Sequence, residues 1–135
     1  LPCDRTAPWP VWVSFATPCT GVFLPVYANA PIPSVYARGG EMPSDDSAWW
    51  AFARLRAAAS SDFARHNAVL RREWAPLEAE IEADRARAEA RAAEASASGA
   101  DDEARNVLGA FMQRCADAAL ERARALCAKL EGGAS

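Results

Sequence analysis

Histidine is almost missing from this chain: His66 is the only one in 135 residues. Four cysteines are present, Cys3, Cys19, Cys115 and Cys127, but no two share the C-x-x-C spacing. A zinc site or a thioredoxin-like redox motif needs such clustered ligands or paired thiols, and neither is supported. No metal and no cofactor is assigned. Charge is also missing from one long stretch, since no charged residue lies between Thr6 and Ala37. That uncharged stretch is no membrane helix, because Pro18, Pro25, Pro31 and Pro33 would each break one. It is no secretory signal either, as no basic segment precedes the apolar run and no small-residue cleavage pattern ends it. An excess of positive charge is lacking too. The formal net charge is -3, so nothing draws the chain to nucleic acid or to an anionic membrane.

What fills the uncharged stretch is apolar. Val11 to Thr17 and Gly21 to Tyr27 read as two strands around a tight turn at Pro18-Cys19-Thr20. Both are near-continuous apolar runs, the pattern of strands covered on both faces of a sheet. Two strands alone are marginal, so the rest of the sheet is expected to lie elsewhere in a longer protein, of which this chain, beginning with Leu1, is a piece. Pro25 marks the second strand as an edge or a bulge.

The chain changes character near residue 44. Eight of nine prolines lie at or before Pro43, and most of the alanine and charge lies after it. The expected organisation is one incomplete domain: a strand hairpin and Pro/Gly-rich loop over 1–43, a helical layer and hairpin over 44–131, and a flexible tail over 132–135. Within the loop, Ser34-Val35-Tyr36 is expected to be at most a short extended piece between Pro31-Ile32-Pro33 and Gly39-Gly40.

Three helices are expected after the boundary. The first starts at Ser44, Asp45 or Asp46, whose side chains can cap free amides, and its adjacent Trp49 and Trp50 are expected to pin it to the sheet. A second begins near Ser60-Ser61-Asp62, with Phe63, Leu70, Trp74, Leu77 and Ile81 as its apolar stripe and Pro76 as a kink or restart. His66 falls on that stripe. It could serve as a base for a cysteine, but a packed or hydrogen-bonded histidine is the favoured reading. Beyond Ile81 the helix reads as solvated, with Glu82/Arg85 and Asp84/Arg87 pairs three residues apart. The acids interleaved with these arginines cancel any field that would attract nucleic acid.

Ser96 to Gly99 should end this helix, and Asp101-Asp102 should cap the third. Leu108, Phe111, Met112, Cys115, Ala119, Leu126 and Leu130 give the third its stripe, so the second and third helices form an antiparallel hairpin. The same stripe could instead serve a coiled-coil partner or a homo-oligomer. Cys115 and Cys127 sit about 18 Å apart along the helix, too far for a disulfide, and read as buried thiols of a reducing, cytoplasmic compartment.

The order of these features carries a resemblance. Trp12 to Tyr27, with Thr17-Pro18-Cys19 at the turn and Val22-Phe23-Leu24-Pro25-Val26-Tyr27 after it, then Ser47-Ala48-Trp49-Trp50-Ala51-Phe52, resembles the C-terminal part of the secernin-like proteins. These are cysteine dipeptidases of the N-terminal nucleophile hydrolase group, and the likeness spans Trp9 to Glu82. It implies an α+β fold, here a fragment of an αββα sandwich, and hydrolysis of dipeptides or other small linear amides by the complete enzyme. In that family the nucleophile is a cysteine at the mature N-terminus, whose own α-amino group serves as the base. Cys3-Asp4 superficially matches the family's opening Cys-Asp pair, yet two residues precede Cys3 and Arg5-Thr6-Ala7-Pro8 lacks the strand and Gly-Lys-Asn element that should follow. Cys19 has no free amine and no histidine near it in sequence, and reads as a structural thiol. No catalytic residue transfers to this chain. The expected partner is therefore the N-terminal remainder of the same protein, with a small peptide as the complete enzyme's substrate.

Overall fold

The computed structural model describes residues 8–133, so Cys3 and the Cys-Asp pair lie outside the described residues. The fold is mixed α+β and mostly helical. Strand β1, Val11–Val13, pairs antiparallel with β2, Leu24–Val26, in the register Val11↔Val26, Trp12↔Pro25, Val13↔Leu24. Between them Thr17 folds the chain back: its carbonyl accepts from the amides of Thr20 and Gly21, each at 3.2 Å, and its hydroxyl meets that of Thr20 at 2.8 Å. Ala16 takes a left-handed backbone at φ 59° to enter this turn. The bend and turn consume residues that the apolar run alone would assign to strands, so both strands are shorter than expected.

Helix α1, Ser34–Ala37, is a single turn where an extended piece was expected. Pro33 explains the difference. Its fixed φ of -53° suits the entry to a helical turn, and its carbonyl accepts from the Tyr36 amide at 3.0 Å. Helix α2, Ala48–Ser60, begins later than expected, with Ser47 rather than Ser44, Asp45 or Asp46 as its cap. Ser47 is buried and works twice: its hydroxyl accepts from the Trp50 amide and donates to the Arg38 carbonyl at 2.7 Å. Ser44, Asp45 and Asp46 remain outside, where Asp46 pairs with Arg38 and Asp45 with Arg54.

Helix α3, Phe63–Ala97, is capped by Asp62, whose side chain accepts from the Arg65 amide, and it neither stops nor restarts at Pro76. Proline there leaves the Arg72 carbonyl without its helical donor. One residue on, Arg122 reaches across and donates to the Glu73 carbonyl at 2.6 Å, which stitches this weakened turn to the next helix. Gly99, at φ 81°, ends the helix in the left-handed conformation that glycine adopts without steric cost. Helix α4, Asp101–Gly132, then returns alongside α3, so the two form the expected antiparallel hairpin. Asp101 and Asp102 lie in its first turn and face the positive end of the helix dipole, but no side chain caps it. Its last turn reaches Gly132, into the segment read as a tail.

The core lies where α2, β2 and the hairpin meet. Trp74 stacks on Phe52 with centroids 6.0 Å apart, Phe52 on Phe15 at 5.8 Å, and Tyr27 tilts against Phe111 at 6.4 Å. Phe52 and Leu55, not the tryptophans, hold α2 to this core; Trp49 is 52% exposed and Trp50 only half-buried. Phe63, at 44% exposed, is likewise off the stripe, which begins at Leu70. The arginine-rich end of α3 is solvated on one side only. Ala88, Ala92 and Ala95 are buried among the apolar residues that include Ala104 and Leu108, because alanine lets two helix backbones approach closely.

Candidate functional site

Four described groups could do nucleophilic or base chemistry, three cysteines and one histidine, and the fold keeps them apart in character. Cys115 is buried in the α4 stripe, and burial pushes its thiol up to about 12, with Arg114 opposing the shift and Asp84 adding to it. Cys127 is also buried; burial raises its pKa, and its Sγ lies 3.4 Å from Glu131, which adds to the effect. A protonated thiol is a poor nucleophile. Cys19 is exposed at the turn between the strands, where a buried structural thiol was expected. His66 places its Nδ1 3.3 Å from the Ala59 carbonyl, a hydrogen bond across the α2–α3 junction that makes it a joint between helices. Among the described residues no cluster of three or more His, Cys, Asp or Glu is arranged to hold a metal ion.

Two polar networks tie the strands to the hairpin; the Glu82/Arg85 pair of the first has the three-residue spacing read from the sequence, whereas the links to Tyr27, Thr20 and Gly21 have no periodicity that a sequence displays. The Tyr27 hydroxyl donates to Glu89 at 2.7 Å, and Arg85 donates to the other Glu89 oxygen at 2.7 Å while also bridging Glu82. Burial, then the Glu89 carboxylate, raise the Tyr27 phenol well above its ordinary range. Behind the turn, Trp74 Nε1 donates to the Thr20 carbonyl at 3.0 Å and Arg71 to the Gly21 carbonyl at 2.5 Å. These are structural fastenings. A solvent-open groove of about 590 Å³ runs along the hairpin past Arg87, Arg91, Glu103 and Arg114, but Arg87 is already paired with Asp84 and acids alternate with bases along it.

The surface that stands out is β1. Val11 is 63% and Trp12 42% exposed, although adjacent strand residues point to opposite faces. Trp9 and Phe23 beside them are exposed as well. Strand β2 differs sharply, since Leu24 and Pro25 are both fully buried although they too point to opposite faces. The expectation of strands covered on both faces therefore holds for β2 and fails for β1. The helices enclose the inner strand and stop there.

No helix among the described residues is long and apolar enough to cross a membrane. Comparison with family models, with curated proteins and with solved structures finds no match to this chain.

Proposed function

We propose that this chain is the C-terminal structural segment of a secernin-like cysteine amidohydrolase, in which it supplies two strands and one helical layer of an αββα sandwich. The complete enzyme would hydrolyse dipeptides or small linear amides in the cytoplasm, with a nucleophile that this chain does not contain. The observation that carries the reading is β1, apolar on both faces and exposed at Val11 and Trp12, which point to opposite faces, beside a β2 whose Leu24 and Pro25 are buried on both. A sheet that is finished on one side and bare on the other is suited to receive further strands and a second covering layer. The order of strand, Thr-Pro-Cys turn, strand, proline-rich loop and double-Trp helix adds the family.

The role of the segment is then to cap the sheet. Buried Cys115 and Cys127 are held protonated, and His66 is engaged with backbone, so none is poised for acyl transfer. A helical module that recruits a partner through the Leu108 to Leu130 stripe is less well supported, because that stripe is used inside the chain, with Phe111 and Met112 fully buried. The test is the reading frame upstream. It should encode an N-terminal cysteine followed by a strand and a Gly-Lys-Asn element; an upstream region without them removes the reading.

A further inference from the structure

The groove along the hairpin faces away from the rest of the fold. Tyr27 of the strand region meets Glu89 on α3 and Phe111 and Met112 on α4, and neither these residues nor any of α2 line it. Its floor is small and apolar: Ala88 is buried, Val107 is half-buried against the core, and Ala110 is exposed. Two acids, Asp84 and Glu103, are interleaved along it with three arginines. Asp84 pairs with Arg87, whereas Arg91, Glu103 and Arg114 take part in no ion pair among the described residues. Interleaved charges give no broad field that would select an acidic or a basic partner. They select a matching pattern.

The groove carries that pattern itself. Ala88 and Ala110 are each eleven residues from Gly99 at the hairpin turn, and Asp84 and Arg114 are each fifteen. Both helices rise about 1.5 Å per residue, so the members of each pair stand at one height along the hairpin. We infer that this face binds a second copy of the chain about a two-fold axis parallel to the helices, which makes a four-helix bundle. Such an axis sets α3 over α4 of the second copy, exchanging the members of each pair. Asp84 then meets Arg114 of the second copy, and Arg114 meets its Asp84. Between them Ala88 lies over Ala110 of the second copy, small against small, so the helices can approach closely. Every neighbouring helix in the bundle runs antiparallel. A furrow of about 130 Å³ that shares Asp84 and Arg114 extends the seam past Ile81 and Ala118. The inference does not rest on the function proposed above.

Sedimentation equilibrium of the chain tests this. The parent should follow a monomer–dimer equilibrium, and Arg114→Glu and Asp84→Arg should each weaken it by at least about tenfold, because each sets two like-charged pairs across the axis. An equimolar mixture of the two variants should recover the association of the parent, since both cross-axis pairs are then of opposite sign. Recovery by mixing cannot come from a change within one chain, and the helical signal of each variant alone should match that of the parent. Val11→Asp, on the exposed strand, should leave the dimer unchanged. A parent that stays monomeric up to about 1 mM overturns the inference, as does association indifferent to both charge reversals. A mixture that associates no better than its parts means that the groove does not meet itself, and overturns it too. Association abolished by Val11→Asp and untouched by Arg114→Glu would place the contact at the strands and contradict the inference.

Discussion

The hydroxyl of Tyr27 donates to Glu89 at 2.7 Å across 62 residues of sequence, joining the end of β2 to the middle of α3. The ring of the same residue packs on Phe111 and its amide reaches Met112, so one side chain and its backbone hold strand, α3 and α4 together. Tyr27→Phe keeps the ring and leaves Glu89 paired with Arg85, and should cost about 1 kcal/mol in chemical denaturation. Tyr27→Ala removes the packing as well and should cost about 3 to 5 kcal/mol.

Helix α2 is anchored by Phe52, which is stacked between Phe15 and Trp74. Phe52→Ala should therefore destabilise by about 3 to 5 kcal/mol. Trp49→Ala, at a half-exposed position, should cost less than about 1 kcal/mol when measured by the same denaturant midpoint. A larger loss at Trp49 than at Phe52 would place the wrong face of α2 against the core.

How these positions were or were not legible follows from their physics. The hairpin was readable because Leu70, Trp74, Leu77 and Ile81 on one helix, and Leu108, Phe111, Met112 and Cys115 on the other, repeat at helical spacing and are large enough to register as a stripe. The buried alanines Ala88, Ala92 and Ala95 repeat just as regularly, but alanine is nearly as common on solvated helices, so burial left no distinct mark. Trp49 and Trp50 are the largest side chains of α2, yet neither is buried. Ser47, three residues before Trp50, sets where α2 begins and so which residues turn inward. The bareness of β1 was not legible at all, because Val11 to Val13 and Leu24 to Val26 are equally apolar and only the third dimension distinguishes a covered strand from an uncovered one.

Alkaline pH should weaken the fold. Burial raises Cys115 from 9.0 to about 12 and also raises Cys127, Tyr27 and Tyr36 above their ordinary values. An acid whose pKa is raised on folding contributes stability that is complete below its unfolded value and is lost as pH climbs toward the folded one. The loss should begin near pH 9 for the thiols and near pH 10 for the phenols. Helical signal followed against pH should fall above pH 9, and the urea midpoint of Cys115→Ala should depend less steeply on pH between 9 and 12 than that of the parent. Equal slopes would contradict the burial of this thiol.

Accessible and buried cysteines should separate cleanly in labelling. Cys19 is exposed, so at pH 8 it should react with a maleimide in the folded protein, whereas Cys115 should react only in denaturant. Mass spectrometry of the tryptic fragments reads both. Rapid labelling of Cys115 in the absence of denaturant would mean that α4 does not bury its stripe.

The central claim is that this segment completes an amidohydrolase without containing its reaction centre, and reconstitution tests it most directly. The isolated chain, the separately expressed upstream part, and the two co-expressed are assayed for hydrolysis of a dipeptide. The account predicts no activity from the isolated chain, and activity from the co-expressed pair that exceeds that of the upstream part alone. Hydrolysis by the isolated chain that disappears on Cys19→Ala, or an upstream part fully active without this segment, would contradict it.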